Sequence, residues 1–225
     1  KAPTAPSLPI YTNLIERGIL NNPDAQFLFS GLTIPAGANG TPAFVPDAPL
    51  SADGKYGDVV VQKGAILKSP TNSAKVGGRI TLVGPNVTNE GTISTPDGQA
   101  ILAAGLQVGF AAHAGSDPSL RGLDVYMRAV SDPVAGAYAG SVTHEGIIES
   151  ARGAITLAGK EINQSGVLES TTSVSLNGRI DLLAHYDAFK NPNFGSSGSS
   201  AVDPFFYRKS GTVRLGEDSL IRILP

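Results

Sequence analysis

The sequence predicts an all-β chain whose main body is a right-handed parallel β-helix, with about 20 residues in each coil. An apolar residue, three further residues, a glycine, one residue and a second apolar residue recur along the chain, and the copies at 142–148 and 162–168 lie twenty residues apart. The apolar runs are short and rich in β-branched residues, as in "RITLV" and "AITL". The 27 glycines and 16 prolines among 225 residues indicate a chain that turns often.

The repeat predicts which residues form the core and the corners. In a parallel coil, equivalent residues of successive coils lie on top of one another, so their apolar side chains stack inside. A glycine suits a corner where a Cβ would clash or where φ is positive. The expected core residues are Val60, Ile66, Val87, Ile93, Val142, Ile148, Ile162 and Leu168, and the expected corner glycines are Gly64, Gly91, Gly146 and Gly166.

Other segments follow the same repeat. A weaker copy is Leu215, Ser219 and Ile221, and the phrase "GRITL" at 78–82 returns as "GRIDL" at 178–182, one hundred residues or five coils later. Asn89, His144 and Gln164 share one slot, so we expect a polar corner column whose side chains hydrogen-bond along the stack. The alternative to a β-helix is a β-sandwich or barrel, although tight two-residue hairpin turns between longer strands are lacking.

The repeat also sets the domain organisation. Residues 1–57 are Pro- and Ala-rich and are expected to form an irregular lead-in or cap, and 58–225 to form the β-helix. Residues 111–122 and 131–140 are expected to be loops, and 186–210 a larger insertion. Because the chain opens on Lys1 and its only methionine is Met127, we expect a processed product or an internal fragment.

The composition of the chain disfavours or excludes several classes of function and of binding site. The net charge is −2 with no Lys/Arg block, which disfavours nucleic-acid binding. The apolar runs are too short to insert into a membrane. The chain has no cysteine, which excludes disulfides and thiolate metal sites.

Catalysis has one candidate pair. Glu149 and Glu169 are expected on neighbouring strands, at a separation that suits a retaining glycosidase or, with a third group, a calcium site. The alternative is two solvent-facing strand residues whose repulsion is eased by water and by Arg152. The histidines His113, His144 and His185 lack metal-site spacing. We therefore predict no catalytic residue, no metal and no cofactor.

The 186–210 insertion is the best candidate for contact with a partner or a glycan. Aromatic rings cluster there beside basic residues, as on many recognition surfaces. The alternative is that Phe205, Phe206 and Tyr207 fold back over an open coil face. The candidate contact residues are Tyr186, Phe189, Phe194, Phe205, Phe206, Tyr207 and Arg208.

One stretch resembles a known family. "GGRITLVGPNVTNEGTISTPDGQAILAAG" at 77–105 is similar to the amino-terminal part of filamentous-haemagglutinin-family proteins, the large exoproteins of bacterial two-partner secretion. The resemblance is good over 58–105 and fair over 140–185. The family's secretion domain carries Asn-Pro-Asn signatures that "NPDA" at 22–25 and "NPNF" at 191–194 only echo, so no secretion-signal role is carried over.

The resemblance implies a β-helical shaft that passes through an outer-membrane translocator and is displayed at the bacterial cell surface. Its expected partners are that translocator and then host cells, neighbouring cells or other subunits of a filament. We therefore expect a non-catalytic structural or adhesive segment of a secreted protein that builds adhesive filaments or biofilm. The alternatives are a β-helical polysaccharide lyase or hydrolase, and a scaffold subunit that binds a partner through the 186–210 insertion.

Overall fold

The structure is a computed structural model. It describes residues 27–29, 32–33, 45–46, 57–74, 76–112, 122–131, 138–174, 176–190 and 205–225. Most of the expected lead-in and most of the two expected loops lie outside these residues. The described part is all-β, as predicted, and contains no helix, and so none that could cross a membrane. Its first strands are short: β1 (Phe27–Phe29), β2 (Leu32–Thr33) and β3 (Val45–Pro46).

The remaining strands follow a repeated route. The chain passes through three parallel sheets in the same order four times, and then through the first two sheets once more. The strands are β4 (Val59–Val61), β5 (Ile66–Lys68), β6 (Arg79–Gly84), β7 (Val87–Asn89), β8 (Thr92–Ser94), β9 (Gln99–Ala104), β10 (Gln107–Ala112), β11 (Leu123–Ala129), β12 (Ser141–His144), β13 (Ile147–Ala151), β14 (Ala154–Ala158), β15 (Glu161–Gln164), β16 (Val167–Thr171), β17 (Arg179–Leu183), β18 (His185–Lys190), β19 (Phe205–Ser210), β20 (Thr212–Leu215) and β21 (Leu220–Leu224).

The three parallel sheets keep their register from pass to pass. The first sheet has the order β4-β7-β12-β15-β20, the second β5-β8-β13-β16-β21 and the third β6-β9-β14-β17. Val142 lies beside Ile162 in the first sheet, and Ile148 lies beside Leu168 in the second. Residues twenty apart therefore resemble each other because they are neighbours in parallel sheets. This arrangement is consistent with a β-solenoid.

The inner faces of the sheets share one aliphatic core. Ala100, Leu102, Ile155 and Leu157 of the third sheet pack against the inward side chains of the other two sheets. These four side chains of the third sheet are fully buried. Burial of apolar surface of this kind is the main source of stability in such a stack. Six of the expected core residues belong to this cluster: Val87, Ile93, Val142, Ile148, Ile162 and Leu168.

The prediction that Val60 and Ile66 also belong to the core is wrong. They are 55% and 63% exposed, and the residues in register with Val87 and Ile93 are Val59 and Leu67. The reason is a longer corner. Val61 pairs with Asn89 and Ile66 with Thr92, so the first pass uses two more residues between these sheets than the second pass does.

The last pass has the same feature. Gln164 pairs with Leu215 and Val167 with Leu220, so this corner is again two residues longer than its neighbour. Ile221 of the expected weaker copy is in register with Leu168, whereas the residue in register with Ile162 is Val213 and not Leu215. Similar spacing along the sequence therefore gave the wrong alignment in the first and last passes.

The corner glycines have two different causes. A Cβ on Gly146 would overlap the carbonyl oxygen of Gly91, and a Cβ on Gly166 would overlap that of Gly146. A Cβ on Gly91 would collide with the carbonyl of Ala65, which takes the equivalent slot in the first pass. Gly64 has open space around it but a φ of +86°, which favours glycine for conformational reasons.

The third sheet is covered on both faces. β10 pairs antiparallel with β1 and β11, and this extra sheet buries a second core against the outer face of β9 and β14. The expected loops at 111–122 and 131–140 therefore include strand residues at Ala111 and Ala112 and a β-bridge between Ser131 and Tyr138. The second core contains Ile101, Ala103, Val108, Phe110, Leu123, Val125, Met127 and Ala158.

The "GRITL" and "GRIDL" phrases lie in β6 and β17, the two outer strands of the third sheet. Only β9 and β14 lie between them, so the hundred-residue separation is three passes plus an insertion. The expectation of five coils is wrong, because the β10–β11 insertion adds residues without adding a pass.

Candidate functional site

The second insertion leaves the stack as an antiparallel hairpin of β18 and β19. Its two ends meet, since Gly211 donates its backbone N–H to the carbonyl oxygen of Ala184 at 2.6 Å. In the hairpin, Tyr186 lies opposite Lys209 and Ala188 opposite Tyr207. The insertion therefore starts and ends at one point of the stack, close to the expected bounds of 186–210.

One face of this hairpin docks on β11. The ring of Tyr207 stacks on that of Tyr126, with centroids 5.9 Å apart and planes at 18°. The Tyr207 hydroxyl donates to the carbonyl oxygen of Val125 at 3.1 Å. Tyr186 packs against the second core. These two rings anchor the hairpin on β11, so the expected fold-back is found for Tyr207, but onto the extra sheet and not over an open coil face.

Two exposed side chains on the other face of the hairpin form what we call the hairpin patch: Phe206 and Arg208. His185 and Lys209 are exposed too but lie on the anchor, with the His185 ring 5.5 Å from that of Tyr207 and the Lys209 ammonium 5.9 Å from the Tyr186 ring. Phe206 is 44% exposed, and neighbouring strand residues face opposite ways, so it points away from the Tyr207 anchor. The Arg208 side chain is 61% exposed and its guanidinium lies 3.1 Å from the Asp187 carboxylate. An exposed ring beside a cation suits contact with a glycan or an acidic protein surface.

The remaining expected contact residues are Phe189, Phe205 and Phe194. Phe189 lies in β18, opposite Phe206, and Phe205 lies in β19. Phe194 lies outside the described residues. Sequence reasoning missed Tyr126 and Val125, because their partner Tyr207 is about eighty residues away and only the fold brings them together.

The carboxylate pair is in register as expected. Glu149 lies beside Glu169 on the outer face of the second sheet. The guanidinium Nε of Arg222 donates to Glu169 at 2.6 Å, so Arg222 is the cation that offsets this pair. Within the described residues, no three His, Asp or Glu side chains converge as a metal site.

The expected role of Arg152 is wrong. Its guanidinium binds Asp97 in the preceding pass with both Nε and Nη2, at 2.7 and 2.8 Å. Thr71 of the first pass donates its hydroxyl to the same carboxylate at 2.8 Å. The hydrogen bonds and charge of buried Asp97 raise the pKa of Arg152, against the opposing effect of desolvation. This corner ties three passes together and is structural.

The polar column is present, with a different bonding pattern. Asn89, His144 and Gln164 are in register and fully buried. Asn89 and His144 bond to each other at 3.0 Å, but His144 then turns to the carbonyl oxygen of Val167. The Gln164 amide donates to the carbonyl oxygen of Gly166 at 2.8 Å. Of the other histidines, His185 is exposed on the hairpin and His113 lies outside the described residues.

Comparison of the chain with known protein families, with curated proteins and with solved structures gives no match. The resemblance to the filamentous-haemagglutinin family therefore depends on the residues at 58–105 and 140–185 alone.

Proposed function

We propose that this chain is a non-catalytic structural and adhesive segment of a large secreted protein of the filamentous-haemagglutinin type. In this proposal the three parallel sheets form a right-handed parallel β-helix of about 20 residues per coil, which acts as a shaft. The shaft carries the docked hairpin, whose hairpin patch faces away from the Tyr207 anchor. Its partners are an outer-membrane translocator during secretion, and afterwards a cell surface or other subunits of a filament.

The observation that supports the proposal most is the register of the stack. Among the described residues, the strands of each pass pair with those of the pass before and the pass after, and the two insertions follow third-sheet strands without breaking that register. Such a stack can be lengthened or decorated at little cost to its neighbours, which is what a shaft requires.

Surface adhesion is the direct test. Beads that carry the chain are compared with albumin-coated beads for attachment to cultured epithelial cells and for clumping with one another. We expect attachment or clumping above the albumin level, with no release of reducing ends from polyuronate. Beads that neither attach nor clump, from a preparation shown to be folded, would contradict the proposal.

The register of Glu149 and Glu169 favours the glycosidase or lyase alternative enough to include an enzymatic arm. The side chains are on adjacent strands, at a separation near that of a retaining pair. Polyuronate turnover by the wild type, lost in both Glu149→Gln and Glu169→Gln, would replace the adhesive proposal by the enzymatic one. We expect no turnover, because Arg222 holds Glu169 and no third acid or base converges there within the described residues.

The scaffold alternative is tested by removing the hairpin. Because Gly211 bonds to Ala184, residues 185–210 can be replaced by two glycines without stretching the chain. A second variant keeps the hairpin and removes only the patch side chains, by Phe206→Ala together with Arg208→Ala. If the hairpin patch makes the contact, both variants attach less than the wild type while unfolding at a similar urea concentration. Unchanged attachment of both variants would dismiss the patch and leave the shaft itself as the adhesive surface.

A further inference from the structure

His144 occupies an unusual place for a titratable side chain. It is fully buried in the inner polar column, between Asn89 of the preceding pass and Gln164 of the following pass. Nδ1 lies 3.0 Å from the amide nitrogen of Asn89, and Nε2 lies 3.1 Å from the carbonyl oxygen of Val167. The imidazole therefore links β7 to β16 through the corner of the third pass.

The neighbouring groups fix which nitrogen carries the proton. The backbone N–H of Gly91 can only donate, and it donates to Oδ1 of Asn89 at 3.2 Å. The NH2 group of Asn89 therefore faces His144, so Nδ1 must accept and has no proton. The carbonyl of Val167 can only accept, so Nε2 carries the proton and donates it. Both bonds are satisfied only by the neutral ring.

A second proton on the ring would break this arrangement. The new Nδ1–H would point at the NH2 group of Asn89, and turning that amide over would set its NH2 against the N–H of Gly91. The carbonyl oxygen of Asn89 already accepts from the N–H groups of Glu145 and Gly146. Protonation would thus bury a charge and set its new N–H against a donor.

No charged side chain faces the ring from the strands around it. Its own column holds the neutral amides of Asn89 and Gln164, and the residues of the three sheets that form the shared core are aliphatic. Burial lowers the pKa of His144 from its ordinary value, and the carbonyl groups of Val167 and Asn89 oppose this only in part. The charged residues of the adjoining strands and corner belong to the outer surface: Glu90, Glu145, Glu149, Glu161 and Glu169.

We propose that His144 makes the corner between the first and second sheets an acid-sensitive joint, closed at neutral pH and weakened when protons compete for the ring. The ligand of this site is the proton itself. Above about pH 6.5 the ring is neutral in both the folded and the unfolded chain, so pH has no effect through it. Below that pH the unfolded chain binds a proton that the folded chain rejects, so stability is lost as the pH falls.

The test is urea unfolding of the 225-residue chain at a series of pH values, in the wild type and two variants. His144→Gln places an amide at a slot where Gln164 and Asn89 already occur, and His185→Gln removes a histidine of the hairpin whose exposed ring lies 5.5 Å from that of Tyr207. In the wild type and His185→Gln, we expect the unfolding constant to rise about tenfold from about pH 7.5 to about pH 5.5. In His144→Gln that rise should disappear.

A second measurement keeps the proposal testable if His144→Gln fails to fold. The ring nitrogen shifts of wild-type His144, followed by NMR, should remain those of the neutral Nε2–H form down to about pH 5.5. A His144→Gln variant with the wild-type pH dependence, or a His144 ring that gains its second proton between about pH 7.5 and about pH 5.5, would overturn the proposal.

Discussion

At the scale of single residues, three of the corner glycines, Gly91, Gly146 and Gly166, are required by space. Successive passes approach so closely between the first and second sheets that the hydrogen on each glycine points at a backbone carbonyl of the pass before. The N–H of Ile147 bonds to the carbonyl oxygen of Gly91, and that of Val167 bonds to Gly146, both at 2.9 Å. A side chain at this slot would therefore push apart the bonds that hold the passes together.

Gly146→Ala tests this requirement. Its Cβ would overlap the backbone of Glu90 and Gly91, which cannot move without breaking the parallel pairing on both sides. We expect the free energy of unfolding in urea to fall by at least about 2 kcal/mol. Gly57→Ala is the matched control, because nothing lies within 4 Å of its added Cβ. Equal stability of the two variants would contradict a close approach of the passes.

The sequence predicts single residues well wherever a pass has the regular corner. Val87, Ile93, Val142, Ile148, Ile162 and Leu168 share one spacing and are all buried. Val60 and Ile66 share that spacing too but lie outside, because their corner holds two extra residues. Slipping a strand by one residue turns its side chains to the other face, and the local pattern "DVVVQKGAILK" is apolar in either register.

At the scale of elements, the third sheet differs from the other two because an added sheet covers its outer face. The strands β9 and β14 are buried along their whole length, whereas β13 alternates between buried and exposed residues. β11 is also buried on both sides, by the second core and by Tyr207. Covering both faces removes the alternation that marks a strand in a sequence. The β10–β11 hairpin could not be recognised for this reason.

The docking of the second hairpin on β11 should depend on Tyr207. Tyr207→Phe removes the hydroxyl that donates to Val125, and we expect it to weaken docking by about 1 kcal/mol. Tyr207→Ala also removes the stacking on Tyr126, at a cost on the order of 2 kcal/mol. Hydrogen exchange of the β18 and β19 amides measures the opening of the hairpin directly.

The control for this experiment is Phe206→Ala, which truncates an exposed ring on the opposite face of the same strand. It should leave the exchange of those amides nearly unchanged. Faster exchange in Phe206→Ala than in Tyr207→Ala would mean that the docking face has been assigned to the wrong side of the hairpin.

At the scale of the whole molecule, the sequence predicts the register of strands wherever no insertion interrupts the repeat, and it does not predict the insertions. The twenty-residue repeat between β12 and β15 was visible because nothing interrupts it, and the structure pairs those strands residue for residue. The 55-residue step from Val87 to Val142 includes a complete hairpin, so a fixed period could not locate it. The anchor of the hairpin could not be predicted either, because Tyr126 and Tyr207 belong to different insertions and only the fold brings them together.

The absence of cysteine in this chain allows the stack to be tested by introduced disulfides. Glu149 and Glu169 are register partners, and so are Ala151 and Thr171. Partner Cα atoms in adjacent strands lie about 5 Å apart, within the range that a disulfide can bridge. Ala151 and Val167 are four residues out of register, so their Cα atoms lie roughly 14 Å apart and are too distant.

The most direct measurement is therefore the rate of intramolecular disulfide formation under mild oxidation in three double-cysteine variants. Stacked parallel passes predict fast closure of both Glu149→Cys/Glu169→Cys and Ala151→Cys/Thr171→Cys, and slow closure of Ala151→Cys/Val167→Cys. An antiparallel arrangement centred on Glu149 and Glu169 would instead close the third pair and leave the second open. That result would contradict the parallel stack and the shaft proposed from it.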